Sequence, residues 1–231
     1  LPFTGTNEIE KIEKSEEKTK RKRKTAGEIF TEQQQEKELK DKLGISGDID
    51  VKIDELGLKG YTGIVLGEKC KYFVEGMINK DKQIQATSID LTVGTIFRLR
   101  ERKKQNITID FDNSKRVLAE AILYNKNKLG IWELKKSSVY KGRTNEIITC
   151  PANFSGIVLP RSTLLRSGIE IIGTWIDPTF HGHIEFLIKP HLNIDIYKNA
   201  RLVQVSMFKG EIPDKRYWYA IKGTYQENRV I

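Results

Sequence analysis

The chain has 231 residues, 38% of them apolar and 31% charged, and a formal charge of +9. That length suits one ordinary domain with a tail, and no apolar run is long enough to cross a membrane as a helix. The first 50 residues hold 11 Lys and Arg against 12 Asp and Glu, a net of −1, so the basic excess lies beyond them and suits an anionic ligand or a nucleic-acid surface.

Taken in order, the chain opens on LPFTG, which matches a sortase signal but in the wrong place, since such a signal belongs near a C-terminus. With no initiating Met ahead of it, processing or a start inside a longer chain is the expectation. Residues 6–26 carry almost no large apolar side chains and include KTKRKRK at 18–24. Such a segment buries too little surface to offset its ordering entropy, and it reads as a solvated linker or an arm for a nucleic acid or a larger assembly such as a virion. Helix formers over 27–43, closed by Gly44, predict a helix whose sparse apolar set (Ile29, Phe30, Leu39, Leu43) needs another surface to lie on. Residues 45–60 end in glycine-rich turns.

From residue 64 the texture changes. A short helix is predicted over 64–78, then a strand over 84–97 in which Ile89, Leu91 and Val93 alternate with Ser88, Asp90 and Thr92. Further short strands are predicted at 107–111, 117–124, 129–134, 137–140, 146–149, 155–159, 169–176, 183–188, 194–197 and 201–208. Many short strands separated by Gly, Asn and Lys turns indicate an all-β barrel or jelly roll, with 1–60 as an extension and 61–231 as the domain. Cys70 and Cys150 lack metal spacing and make no disulfide framework, so reduced, intracellular thiols are expected. His181, His183 and His191 lack an accompanying ligand set and read as surface histidines.

The chemistry concentrates in residues 160–186. Arg161, Ser162, Thr163 and Arg166 put two guanidinium forks and two hydroxyls within six residues, which suits the oxygens of a triphosphate. Asp177, beyond an apolar run, could hold and deprotonate a water. The competing reading is a surface turn with ordinary charges.

These residues also carry a family signature. SIDLTVG (88–94), PRSTLLRSG (160–168), IDPTFHG (176–182) and NARLVQ (199–204) resemble, in order, four motifs of the dUTPase and dCTP deaminase superfamily. IDFDNS (109–114) and GTYQEN (223–228) are similar to segments of its archaeal-type dUTPase branch. The resemblance covers residues 64–231 and implies a distorted jelly-roll subunit in a homotrimer with sites between subunits. It implies hydrolysis of dUTP to dUMP and pyrophosphate, with Mg2+ held mainly by the substrate's triphosphate and water. Arg161, Ser162, Thr163 and Arg166 would bind phosphates, Asp177 would orient and activate the water, and Gln204 would support water or phosphates. Phe180 would pack under the sugar, Asp90 would belong to the phosphate and metal surroundings, and Tyr225 and Gln226 would close over the ligand. An inactive module of the same fold is the alternative, favoured by Thr179 at a frequent glycine position, Lys189 at a frequent asparagine and the long arm. In the deaminases of this superfamily a proton-transferring glutamate stands five residues after the third-motif glycine. That position is Leu187 here, and Glu185 lies one same-side step away, so deamination ranks below hydrolysis.

Overall fold

The computed structural model describes residues 56–58, 60–112 and 114–219. The expected 27–43 helix, the basic run at 18–24 and the segment with Tyr225 and Gln226 lie outside the described residues. The described part belongs to one compact unit, Ile45–Ile231. Its elements are β1 (Gly63–Ile64), α1 (Gly67–Cys70), β2 (Val74–Glu75), α2 (Lys80–Gln83), β3 (Ile89–Arg100), β4 (Glu120–Leu123), β5 (Ile131–Leu134) and β6 (Tyr140–Thr149). There follow β7 (Phe154–Pro160), α3 (Ser162–Leu165), β8 (Ile169–Ile172), β9 (Trp175–Ile176), β10 (His181–Pro190), β11 (Ile194–Tyr197) and β12 (Arg201–Lys209).

The main sheet runs β8-β10-β6-β3-β12-β7-β9, antiparallel throughout, with β1 added to β12, β2 to β6 and β4 to β3. Its two terminal strands, β8 and β9, are joined by Gly173 and Thr174 alone. A sheet whose opposite edges are two residues apart must curl back on itself, which gives the expected all-β jelly roll. Gly173 permits the closure: a Cβ there would stand 2.0 Å from the Val158 carbonyl oxygen, and the Val158 amide donates to Thr174 O at 3.0 Å. The curl encloses Ile89, Leu91 and Val93 of β3, Ile148 of β6, Ile184, Phe186 and Ile188 of β10, and Val205 and Met207 of β12. Leu58 is also buried and Leu56 packs beside it, so the core reaches back across the boundary expected at residue 60.

Several predicted elements are redrawn. The 64–78 helix shrinks to α1 and one 3-10 turn, because Val74 and Glu75 pair with Ile148 and Ile147 of β6. Residues 107–111 form no strand beyond a bridge from Thr108 to Val117. The two strands read at 137–140 and 146–149 are one, β6, whose inner residues alternate without a break. Residues 169–176 divide at Gly173, for the steric reason given above.

Candidate active site

In β3 the side opposite the core is buried as well: Ser88, Asp90 and Thr92 are 4%, 2% and 3% exposed. Buried polar groups need partners, and the register of the neighbouring strands delivers them. β12 places Gln204 beside Asp90 and Arg201 beside Thr92. β7 ends with Pro160 opposite Val203, and the Arg161 amide donates to Leu202 O at 3.1 Å, which brings the Arg161 side chain to the same point. Asp90 Oδ2 receives Arg161 Nε at 2.8 Å and Arg201 Nη1 at 3.1 Å. Ser88 donates to Gln204 Oε1 at 3.2 Å, and the Gln204 amide reaches Pro160 O at 3.4 Å. Three of the four motifs therefore meet in one buried network. Burial pushes the Asp90 carboxyl above its ordinary value, with the two guanidiniums pulling against it.

Beneath this network lies a second carboxylate that the sequence reading missed. Glu146 is fully buried and accepts from the Thr92 amide (2.9 Å), the Thr92 hydroxyl (2.6 Å) and the Gln83 amide (2.8 Å). Gln83 Nε2 also donates to Asp90 O at 2.9 Å, so it ties the two acidic residues together. Its own position is set by α2, where Asn79 caps the Lys82 amide and Gln83 Oε1 accepts from the Asn79 amide. Arg201 donates to Lys82 O in the same helix. Asn145 links Thr92 (2.8 Å) to Asn199 (3.1 Å), and it packs where Gly94 has no side chain: a Cβ there would meet Asn145 Oδ1 at 2.6 Å. The sequence hint for Glu146 was a carboxylate heading an apolar run, Ile147 and Ile148.

Past Arg161 the chain turns into α3. Ser162, Thr163 and Arg166 are exposed there, and among the described residues none of their side chains is engaged in a hydrogen bond or ion pair. Fixed guanidiniums at the base and unengaged donors above them make a surface suited to phosphate oxygens.

Asp177 stands elsewhere. It is exposed in the turn between β9 and β10, where the Phe180 amide donates to Asp177 O at 3.2 Å. Thr179 in that turn is 1% exposed at φ +68, a left-handed conformation costly for a β-branched residue. Its amide donates to Cys150 O (2.9 Å), and Cys150 N donates to Phe180 O (2.9 Å), so β6 clamps the turn. Phe180 is half-buried against the core and meets Tyr219 edge-on at 5.3 Å, while the Tyr219 amide donates to Pro178 O. Burial, and secondarily Asp177, raises the Cys150 thiol far above its ordinary value, and burial raises Cys70 to about 11. Both thiols are inert at neutral pH.

The register measures the gap between these two groups. Ile176 pairs with Gly156 near the start of β7, whereas Arg161 follows its end. The antiparallel register carries Asp177 level with Ser155, six residues before Arg161, about 20 Å at ordinary strand rise. Within one chain, Asp177 does not meet the phosphate-type donors. Leu187 is half-buried on β10, and Glu185 is exposed with its carboxylate held by Lys141 Nζ at 2.9 Å. Among the described residues no three His, Cys, Asp or Glu converge as a metal-ligand set, and no helix is long and apolar enough to cross a membrane. His181 and His183 are half-buried, not superficial, and contact Thr149 (2.9 Å) and Glu146 O (3.1 Å).

A family model described as dCTP deaminase-like matches residues 69–210. The deoxyuridine 5'-triphosphate nucleotidohydrolase of Methanocaldococcus jannaschii is 35% identical over 127 residues, 54% of this chain and 78% of that protein. A dCTP deaminase, dUMP-forming, of Coprothermobacter proteolyticus is 34% identical over 153 residues, 63% of this chain and 78% of that protein. Among solved structures, the 2'-deoxycytidine 5'-triphosphate deaminase of Agrobacterium tumefaciens superposes with a TM-score of 0.50 at 20% identity, over 64% of this chain. The match spans about half (47%) of that deaminase and bears on the fold alone. The matched span holds every motif of the buried network and the Asp177 turn, and it covers more than half of the sequence: the chain belongs to the dCTP deaminase-like family, within the dUTPase and dCTP deaminase superfamily.

Proposed function

We propose that the chain hydrolyses dUTP to dUMP and pyrophosphate in sites shared between the subunits of a homotrimer. The observation that carries this reading is the separation of about 20 Å along β7 between Asp177 and the Arg161 group. A general base must come within hydrogen-bond reach of the water it deprotonates, and that water must stand beside the phosphate it attacks. The two groups serve one nucleotide when Asp177 of one subunit faces Arg161, Ser162, Thr163 and Arg166 of another. Asp177 then takes the proton as water oxygen bonds to the α-phosphorus, and the bond to the β-phosphate oxygen breaks to release pyrophosphate.

Asp90 acts here by holding Arg161 and Arg201 in place through Oδ2. Gln204 supports the phosphates from the strand beside Asp90. Phe180, propped by Tyr219, makes a flat floor for the sugar. The exposed hydroxyls and guanidinium of α3 fit a triphosphate that carries its own Mg2+, whose charge would offset that of the leaving pyrophosphate. Deamination is disfavoured by Leu187 at the glutamate position and by the Lys141 pair that holds Glu185.

The test is pyrophosphate release from each deoxynucleoside triphosphate with Mg2+. Turnover of dUTP above the others is expected. A rate equal to the enzyme-free control would leave an inactive module of this fold, and ammonia release from dCTP would mark a deaminase. The arm before the domain serves another partner in this reading. Because Leu56 and Leu58 belong to the core, a truncation that spares hydrolysis must end before them.

A further inference from the structure

The chain's positive charge is not spread evenly. Residues 98–143 hold 13 Lys and Arg against 5 Asp and Glu, a net of +8 within a total of +9. This segment comprises the end of β3, the excursion to β4 and the turn from β5 into β6, and it contains none of the residues assigned above to the nucleotide. Arg98 and Arg100 line a recess of about 390 Å³ with Ser137 and Ser138. Arg98 Nη2 donates to Ser138 Oγ at 3.3 Å, and among the described residues neither guanidinium is in an ion pair. Glu101 also lines the recess and offsets one of the two charges. The 101–119 excursion projects beside it, anchored by the Thr108 and Val117 bridge and by Arg102 Nε donating to Leu118 O at 2.8 Å. Near its tip Phe111 is completely exposed. Asp110 and Asp112 flank it, and Lys103, Lys104 and Lys115 stand exposed on the same excursion, so the ring has no role in the core.

We propose that this end of the molecule binds single-stranded nucleic acid, with the recess taking a backbone phosphate and Phe111 stacking on a base. Guanidiniums and hydroxyls in a recess match phosphate oxygens by charge and by hydrogen bonding. A cationic track with an exposed aromatic is the combination that holds single strands without reading their sequence. A duplex hides its base faces from Phe111, so the single strand is the form this surface fits.

The full chain is titrated into a fluorescein-labelled single-stranded oligo(dT), and anisotropy is followed across a salt series. Binding that weakens with salt is expected. Arg98→Gln with Arg100→Gln should flatten the slope of log affinity against log salt by about 0.7, for the one phosphate no longer neutralised. Phe111→Ala should weaken binding about tenfold, the scale of removing one ring from a base stack. Because the Phe111 ring lies wholly in solvent, that variant carries the test even if the arginine variant fails to fold, which a thermal melt reveals. A full-length chain with residues 20–24 all changed to Gln should keep the slope and the Phe111 dependence. The proposal is overturned if those five substitutions abolish binding while the arginine pair and Phe111 have no effect. Equal affinity for duplex, or binding to phosphatidylserine vesicles in place of the oligonucleotide, overturns it as well.

Discussion

The two ends of β7 handle acidic side chains in opposite ways. At the Pro160 end, Asp90 is buried and paired with two guanidiniums that also bond to backbone carbonyls of neighbouring elements. At the Phe154 end, Asp177 stands in solvent on a turn whose next residues, Pro178 and Thr179, are held by β6 and by Tyr219. The first arrangement fixes cations in place; the second leaves a carboxylate open to water. A buried carboxylate bonded to two guanidiniums serves to hold those cations in place. An exposed one on a rigid turn keeps its lone pairs for a substrate. In the proposed reaction Asp90 holds cations and Asp177 serves the water, with the two aspartates at opposite ends of one strand.

That comparison can be broken most sharply at Asp177. Asp177→Asn should lower dUTP turnover by about 10²- to 10⁴-fold, the range for losing a general base, with an unchanged thermal melt. Turnover within threefold of the parent would show that the water is activated elsewhere.

Asp90→Ala should do the reverse and act first on folding. It strands Arg161 and Arg201, whose side chains are 26% and 31% exposed. Partial exposure puts the cost near the low end for a broken buried pair, about 3 kcal/mol in urea unfolding. A loss below about 0.5 kcal/mol, the scale of an ordinary surface change, would mean that the network does not anchor the fold.

The sharing of sites is open to a mixing experiment. Asp177→Asn and Arg166→Ala chains, each nearly inactive, are unfolded together and refolded as mixed assemblies. If one subunit supplies Asp177 and another supplies Arg166, random mixing restores about a quarter of the parental rate. A mixture no more active than its components would place both residues in one chain's site and contradict the register.

The smallest effect concerns the Asp177 turn itself. Thr179 sits at φ +68, so an alanine there keeps the left-handed penalty and gives up the buried packing of the threonine, whereas glycine removes the penalty. Thr179→Gly should be more stable than Thr179→Ala by about 1 kcal/mol. The reverse order would show that the turn relaxes out of the left-handed region.

Much of this was legible in the residues. The alternation of Ile89, Leu91 and Val93 marked β3 correctly because a strand with one core face writes its period directly into the sequence. Asp90, Arg161 and Gln204 were singled out by their motifs, and the structure joins them in one network. Asp177 was singled out as well, and β7 and β9 carry it to the far end of a strand from Arg161. Gln83 and Glu146 went unread, since each is an ordinary polar residue until α2 and β6 bring them to the back of β3.

By itself, the sequence determined that the domain is built mainly of strands, that Ile89, Leu91 and Val93 share a core face, and which side chains carry guanidinium forks, hydroxyls or a carboxylate. Those are local properties, set by side-chain period and chemistry. Only the tertiary structure decided which polar face is also buried, which carboxylate is spent on holding arginines and which is left open. It also decided that Arg98 and Arg100 line one recess with Ser137 and Ser138. Those outcomes depend on strand order and register, which place residues from distant parts of the chain side by side, and no local pattern encodes them.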